Sequence, residues 1–244
     1  MESEALSVSI VIPAYNERAD IEATVDAALA YLGRSGLAGE VVVVDDGSSD
    51  DTAELVARYA GRHPQVRLLR NERNRGKGYS VRRGVMEARG EVVLFSDADG
   101  STPLSEAAKL LAAIGSGAHV AIGSRALPDS DVAQPQPWFR RAMGWVFRNI
   151  VRLIVLRGFR DTQCGFKAFR REAAREIFRR QTLEGFAFDV EVLFIAKALG
   201  YHIAEVPVRW LDSHDSRVHP LRDPAKMFLD LFRIRWRALR GAYR

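Results

Sequence analysis

The chain has 244 residues, of which 47% are hydrophobic, so it can bury the core of one large domain. Its single cysteine, Cys164, excludes a disulfide framework, fits a reducing compartment and is expected to be buried. Residues 1–4 lack the basic and apolar regions of a signal peptide, and no run of about 18 apolar residues predicts a membrane span.

The net charge of +5 conceals an uneven distribution along the chain. Residues 1–137 hold 14 basic and 20 acidic side chains, whereas residues 138–180 hold 12 basic and 3 acidic ones. Residues 217–244 are also basic, with 8 cationic and 2 acidic side chains. Such segments attract phosphate on nucleic acid, anionic lipid or a phosphorylated substrate, and a solvated basic face is the alternative. No nucleic-acid-binding motif accompanies them, so we expect no nucleic-acid partner.

The first half of the chain alternates predicted strands with predicted helices. The strands are short apolar runs, and the helices carry apolar residues three or four positions apart. Strands are predicted over residues 7–12, 40–44, 66–70, 91–95 and 120–123, and helices over residues 20–32, 50–59, 77–89 and 105–114. This alternation predicts an α/β fold in which helices cover both faces of a mostly parallel sheet.

The second half is less regular. Residues 126–137 are polar and rich in proline, and we expect them to form a mobile loop. Residues 138–156 and 228–240 interleave apolar residues with arginines, as amphipathic helices at a membrane surface do, although plain packing on the sheet is the alternative. We therefore expect a main domain over residues 1–217 and a basic amphipathic extension over residues 218–244.

Polar clusters follow the predicted strands at the point where each strand ends. They occupy residues 13–17, 45–48, 97–99 and 123–125. Ligands of parallel sheets bind at the carboxyl ends of the strands, so we expect these clusters to form one site. Within it, Asp97 and Asp99 suit a divalent metal that also binds a diphosphate, although aspartates are common in ordinary turns.

A glycine-rich segment, residues 74–78 (NRGKG), precedes the third predicted helix. Its backbone N–H groups and Lys77 could face a phosphate, and the alternative is a helix start eased by glycine. The spacing is not that of a P-loop, and no dinucleotide-binding glycine motif follows the first strand.

Five motifs in order resemble one family. They are VIPAYNE (residues 11–17), VDDGSSD (44–50), NRGKG (74–78), DAD (97–99) and DTQCGFK (161–167). Together they resemble the GT-A inverting glycosyltransferases of family 2, and most of all the polyprenyl (dolichyl) phosphate sugar synthases. The DTQCGFK motif is most similar to that of dolichyl-phosphate β-glucosyltransferases. The resemblance covers residues 7 to about 217.

The resemblance implies roles for individual residues on the donor side. The implied nucleotide-binding residues are Pro13, Tyr15, Glu17, Asp45, Asp46, Lys77, Asp97 and Arg217. The implied ligands of a Mg²⁺ or Mn²⁺ cofactor are Asp97, Asp99 and Gln163, with His214 as either a further ligand or an ordinary loop histidine. Relatives carry G-S-K where residues 215–217 read D-S-R, although arginine also binds phosphate.

The resemblance also implies the reaction. A hexose, with glucose favoured over mannose, would pass from a nucleotide diphosphate sugar to polyprenyl phosphate with inversion. Asp99 would bind the metal of the catalytic site, and Arg125 and one of Arg140 and Arg141 would hold the acceptor phosphate. Apart from the resemblance, Asp189 is an acidic candidate on the acceptor side that could act as a base or an orienting group, with helix capping or a salt bridge as the alternative. The alternatives are a soluble acceptor and a nucleotide-sugar-binding protein without activity.

A phosphate acceptor needs positioning cations more than a base, because it is largely dianionic at neutral pH. The basic segment from residue 138 to residue 180 fits that demand. We expect peripheral attachment to the cytoplasmic, inner face of a membrane, with a homo-oligomer as an open possibility.

Overall fold

The computed structural model describes residues 7–133, 138–211 and 222–243. Within these ranges, the side chains of residues 138–142 and of residue 222 are not described. The strands are β1 (Val8–Ala14), β2 (Gly39–Asp45), β3 (Val66–Arg70), β4 (Val92–Ser96), β5 (Val120–Ser124), β6 (Asp131–Val132), β7 (Phe166–Arg170), β8 (Ile203–Pro207) and β9 (Arg209–Trp210). The α-helices are α1 (Ile21–Ser35), α2 (Thr52–Arg62), α3 (Lys77–Glu87), α4 (Ala107–Gly115), α5 (Trp138–Ile154), α6 (Arg171–Arg180), α7 (Phe188–Ala198) and α8 (Arg222–Leu239).

A seven-stranded sheet organises the described residues, with strand order β3-β2-β1-β4-β7-β5-β8. All neighbouring pairs in it are parallel except those of β7, which runs antiparallel to both β4 and β5. This confirms the predicted α/β fold and the mostly parallel sheet. The five predicted strands each agree with the structure to within two residues.

The core lies in two layers, one on each face of the sheet. Because successive strand residues point to opposite faces, Val11 of β1 packs in one layer and its neighbours Ile10 and Ile12 pack in the other. The first layer is covered by α3, α6, α7 and α8, and the second by α1, α2 and α4. The strands β1 and β4 are buried along their whole length, which explains why their sequences lack a polar face.

One local prediction needs correction. Residues 126–137 were expected to form a loop, but Asp131 and Val132 form the short strand β6, which pairs in parallel with β9. The remainder of the predicted loop, residues 134–137, lies outside the described residues.

The helix α8 is amphipathic, and one side of it belongs to the core. Leu231 and Ile234 are fully buried in the layer that also holds α6 and α7. Its other side exposes large apolar side chains, namely Phe228, Leu229, Phe232, Trp236 and Leu239. The expected boundary at residue 217 falls in the range 212–221, outside the described residues. Among the helices described, none is long and apolar enough to cross a membrane.

Tyr243, which follows α8, joins this helix to α7. Its hydroxyl donates a 2.7 Å hydrogen bond to Oε1 of Glu191, and Glu191 also accepts bonds from Thr182 and from the Leu183 N–H. Burial and the nearby Glu191 raise the pKa of Tyr243 above its ordinary value, so the hydroxyl keeps its proton. These hydrogen bonds give Glu191 a structural role, in which it links α7 to Tyr243 and to residues 182–183.

We expect Tyr243→Phe to lower the free energy of unfolding by about 2 kcal/mol, because it removes a buried hydrogen bond to a carboxyl group. Urea denaturation measures this change. Tyr201→Phe, which removes the hydroxyl of a tyrosine that is only half-buried, is the control. Equal stability of the two variants would show that the Tyr243 hydroxyl contributes nothing specific.

Candidate functional site

The predicted polar clusters meet at one edge of the large sheet. The parallel strands β1, β2, β4 and β5 end at this edge, and β7, which is antiparallel, begins there. The loop before β7, residues 161–165, therefore lies beside the loop after β4. The two loops are joined because the Asp97 N–H donates a 3.1 Å hydrogen bond to the Gly165 carbonyl. Because β7 is antiparallel to its neighbours, the DTQCGFK motif at its start lies next to the loop that contains Asp97 and Asp99.

The loops after β1 and β2 are bonded to each other. The Asn16 N–H donates to Oγ of Ser48 over 2.9 Å, and Oδ1 of Asn16 accepts from the Ser49 N–H over 2.8 Å. Asn16 has a φ of 55°, a left-handed conformation that asparagine tolerates. The predicted nucleoside-binding residues border these loops: Pro13 is buried in β1, Tyr15 is 38% exposed and Glu17 is half-buried.

Asp45, the last residue of β2, closes the turn that follows it. Its carboxylate accepts hydrogen bonds of 3.3 and 3.4 Å from the Ser48 N–H, and Nε of Arg70 lies 3.7 Å from Oδ2. Two residues further on, Gly47 has a φ of 70°, and a Cβ there would lie 2.6 Å from the Arg73 carbonyl carbon. Glycine thus permits the close approach of the loop that follows β3.

Asp46 holds the NRGKG segment in place. Its Oδ1 accepts hydrogen bonds from Nδ2 of Asn71 over 2.7 Å and from the Arg75 N–H over 3.0 Å. Its Oδ2 accepts from the Gly76 N–H over 2.7 Å. Both oxygens are therefore engaged by the loop that leads into α3 and positions Lys77.

Lys77, the first residue of α3, forms an ion pair with Asp97, with 2.7 Å between Nζ and Oδ1. Burial lowers the pKa of Lys77, but Asp97, Asp189 and Asp99 together raise it above its ordinary value. Burial raises the pKa of Asp97, and the attraction of Lys77 offsets this only in part. The two side chains are 23% and 26% exposed, so a ligand can reach them.

Asp99 and Gln163, two of the predicted metal ligands, both carry side-chain oxygen atoms. Both residues are half-buried, and Oδ1 of Asp99 accepts a 2.9 Å bond from the Ser101 N–H. In the part of the chain that the structure describes, no three His, Cys, Asp or Glu side chains form a metal centre. The donor set fits a metal that takes most of its ligands from substrate, because Mg²⁺ usually binds one or two carboxylates together with phosphate oxygens.

A buried ion pair lies behind these residues. Lys167 of β7 is 1% exposed, and its Nζ bonds to Oδ1 of Asp189 and donates a 2.6 Å hydrogen bond to the Cys164 carbonyl. Asp189, in the first turn of α7, is itself 4% exposed. The ammonium groups of Lys77 and Lys167 lie 5.5 and 5.8 Å from the centre of the Phe95 ring. Asp189 is therefore already engaged by a cation.

Arg125 follows β5 and is paired with Asp161. Its Nε and Nη2 donate to the two carboxylate oxygens of Asp161 over 2.7 and 3.0 Å, and its guanidinium carbon lies 5.4 Å from the Trp210 ring centre. Burial alone would raise the pKa of Asp161, but Arg125 holds that pKa well below its usual range. Arg148 of α5 is near enough to both residues to interact with them electrostatically.

Some predicted site residues are not described. The side chains of Arg140 and Arg141 lie outside the described side chains, although α5 contains both residues. Arg217 and His214 fall in the range 212–221, outside the described residues.

Sequence reasoning missed three residues that build the site. Asp161, Gly165 and Lys167 all lie in the DTQCGFK motif, but only Gln163 was given a role. The sequence did contain a signal for two of them. Asp161 and Lys167 flank Cys164, which was expected to be buried, and buried charges must be paired. Their partners could not be named before the direction of β7 was known.

Comparison with known proteins identifies the family. The family model described as glycosyl transferase family 2 matches residues 9–178. The chain belongs to this family. A dolichyl-phosphate beta-glucosyltransferase of Drosophila melanogaster is 40% identical, over 100% of this chain and 78% of that protein. A dolichyl-phosphate beta-glucosyltransferase of Homo sapiens is 36% identical, over 100% of this chain and 79% of that protein.

The fold is also found in solved structures of other proteins. A crystal structure of glucosyl-3-phosphoglycerate synthase from Mycobacterium tuberculosis, in complex with Mn²⁺, UDP and glucosyl-3-phosphoglycerate, superposes with a TM-score of 0.70. The match covers 94% of this chain and 78% of that one at 23% sequence identity. This confirms that the family 2 chain has the GT-A architecture.

We expect Gly165→Ala to lower glycosyl transfer about a hundredfold with little change in melting temperature. A Cβ at this position would lie 1.9 Å from Oδ2 of Asp97, so the carboxylate must move, and a shift of about 1 Å in a site is enough for such a loss. Gly33→Ala is the matched control, because nothing lies within 4 Å of its Cβ position. Full activity of Gly165→Ala would show that the position of Asp97 is unimportant.

We expect Asp161→Asn to lower the free energy of unfolding at pH 7 by about 3 kcal/mol, because it removes a buried carboxylate and leaves the partly buried guanidinium of Arg125 without its partner. The pKa of Asp161 is depressed in the folded state, so its contribution is present above the unfolded-state pKa of about 4 and is lost as pH falls below it. The difference between wild type and variant should therefore shrink below about pH 4.

Denaturant titrations at several pH values test this expectation. Asp131→Asn is the control, because Asp131 and Arg209 form a surface ion pair whose side chains are 62% and 55% exposed. A difference that stays constant with pH would contradict the role of the Asp161 charge.

Proposed function

We propose that the chain transfers glucose from UDP-glucose to a polyprenyl phosphate, with inversion at the sugar. The full-length similarity to proteins named dolichyl-phosphate beta-glucosyltransferase supports both the sugar and the acceptor. The five motifs, which include the DTQCGFK sequence, support the same choice.

The observation that carries the acceptor class is the state of Asp189. An alcohol acceptor needs a base to remove its proton, whereas a phosphate monoester is already largely ionised at neutral pH, since its second pKa is about 6. Asp189 is 4% exposed and paired with Lys167, an arrangement that suits an orienting group better than a base. The site therefore favours an acceptor that brings its own negative oxygen.

On the donor side, Asp99 and Gln163 would hold Mg²⁺ or Mn²⁺. When bound, the metal would neutralise negative charge on the leaving diphosphate. Lys77, partly exposed and held in place by the loop that Asp46 fixes, would bind the same diphosphate, with Arg217 as a further predicted contact. The loops after β1 and β2 would enclose the nucleoside through Pro13, Tyr15, Glu17, Asp45 and Asp46.

On the acceptor side, Arg125 and Arg141 would position the phosphate of the lipid. Arg125 uses Nε and Nη2 for Asp161, which fixes the guanidinium plane and directs the rest of the group away from that carboxylate. Arginine suits this task because its planar group binds phosphate oxygens in pairs.

A lipid acceptor requires access to a membrane surface. The helices α5 and α8 pack against each other and expose large apolar side chains, including Trp145 at 62%, Leu153 at 75% and Leu239 at 77%. With the arginines of both helices, this face suits peripheral attachment to a bilayer. Attachment at the cytoplasmic face of the membrane remains a prediction.

The first experiment is a transfer assay with polyprenyl phosphate and either labelled UDP-glucose or labelled GDP-mannose. We expect label in the organic phase from UDP-glucose alone, and its loss with EDTA. Label from GDP-mannose would reassign the donor. Hydrolysis or transfer only to water-soluble acceptors would reject the lipid acceptor, and tight donor binding without any turnover would indicate a binding protein.

In the same assay we expect Asp99→Ala to lower turnover at least about a thousandfold, because charge stabilisation at the leaving group contributes several kcal/mol. Asp129→Ala, in the polar segment after β5, is the control for removing an exposed aspartate. Unchanged turnover of Asp99→Ala would exclude Asp99 as a metal ligand. Circular dichroism should show that the variant is folded.

A further inference from the structure

A cavity lies away from the sheet edge that carries the candidate site. Its volume is about 380 Å³, and it is bounded by the end of α5, the last turn of α7 and the outer side of α8. Lys197, which lines it, is about 12 Å along α7 from Asp189. The cavity is therefore separate from the donor and acceptor positions described above.

Four cations line this cavity: Arg152, Arg157, Lys197 and Arg235. Within the described ranges, none of them forms an ion pair with a described carboxylate. Their side-chain hydrogen bonds go to backbone carbonyls, from Nε of Arg152 to Phe159 over 3.1 Å and from Nζ of Lys197 to Arg157 over 2.9 Å. Carbonyl groups orient the cations but leave the positive charge unneutralised, so the cavity is suited to an anion.

Apolar side chains of α5 and α7 line the cavity beside the cations, and α8 adds exposed apolar side chains nearby. Leu153 and Phe194 contribute to its lining, and Leu153 is 75% exposed. Phe232, Trp236 and Leu239 of α8 are 49%, 54% and 77% exposed close to Arg235 along the helix. Cations beside an exposed apolar surface match a ligand with a charged headgroup and hydrocarbon chains.

The cavity is also linked to the acceptor side of the site. Arg152 lies one helical turn after Arg148 on the same face of α5, and Arg148 interacts with both Arg125 and Asp161. A bound lipid headgroup would therefore fix the side of the molecule that carries the acceptor arginines against the bilayer.

We propose that this cavity binds the headgroup phosphate of an anionic phospholipid and thereby orients the enzyme on the membrane. The inference rests on the proposed transfer to a lipid-linked acceptor. The phospholipid is a second ligand, distinct from the polyprenyl phosphate that must reach the catalytic edge. Free inorganic phosphate would supply the same charge but would not use the apolar side chains beside the cations.

The test is co-sedimentation with vesicles of phosphatidylcholine alone and with vesicles containing one-third phosphatidylglycerol. The pocket variant combines Arg152→Gln, Arg157→Gln, Lys197→Gln and Arg235→Gln. The matched control combines Arg34→Gln, Arg58→Gln, Arg62→Gln and Arg175→Gln, which remove the same charge from exposed positions on α1, α2 and α6. Melting temperatures show that both variants are folded.

We expect the pocket variant to bind the anionic vesicles at least about tenfold more weakly than wild type, and the control at most about threefold more weakly. Equal losses of vesicle binding in the two variants would show that general charge attraction explains binding, and would overturn the proposed phospholipid site. Displacement of wild type by inorganic phosphate at constant ionic strength would assign the cavity to free phosphate. A wild-type dimer that the pocket variant lacks in sedimentation velocity would assign the face to a second copy of the chain.

Transfer to polyprenyl phosphate in detergent separates this inference from the proposed function. The pocket variant should keep wild-type turnover there, because its four side chains do not reach the catalytic edge. If the pocket variant loses vesicle binding but keeps its activity in detergent, the proposed phospholipid site is supported. If the pocket variant binds anionic vesicles as wild type does, the proposed site is overturned, whether or not transfer is observed.

Discussion

The candidate site depends on one buried ion pair, between Lys167 and Asp189. An ammonium group costs several kcal/mol to bury unless it is paired and hydrogen-bonded, and Lys167 meets this condition through Asp189 and the Cys164 carbonyl. Lys167 is paired in the sheet with Phe95 of β4 and Ile122 of β5. One side chain therefore joins the antiparallel strand, the loop that carries Gln163 and the first turn of α7.

The edge of the sheet repeats this pattern of paired charges. Lys77 is paired with Asp97, and Arg125 is paired with Asp161, so each cation has a carboxylate partner before any substrate binds. Such pairs hold the cations in fixed positions, and a donor diphosphate or acceptor phosphate then meets groups that need little reorganisation. Lys77 and Arg125 are partly exposed while Lys167 is not, which separates the cations that can contact substrate from the one that supports them.

Much of this architecture is predictable from local sequence patterns. Apolar runs such as residues 41–44 identify the parallel strands, and the polar residues after them identify the edge where the site lies. The position of β7 is not predictable in this way, because the register and direction of an inserted strand depend on contacts far apart in sequence. The partnership of Asp161 with Arg125 and the short strand β6 depend on the same long-range geometry.

Cys164 illustrates a practical consequence of this packing. It is the single cysteine of the chain and is 1% exposed beneath the site. Burial and the nearby Asp161 raise the pKa of its thiol to about 11, so only about one molecule in ten thousand carries a thiolate at pH 7. A cysteine introduced on an exposed residue such as Leu153 or Leu239 would therefore react selectively with a fluorescent label. Fluorescence of such a label would measure how deeply the apolar face enters a bilayer, without prior removal of Cys164.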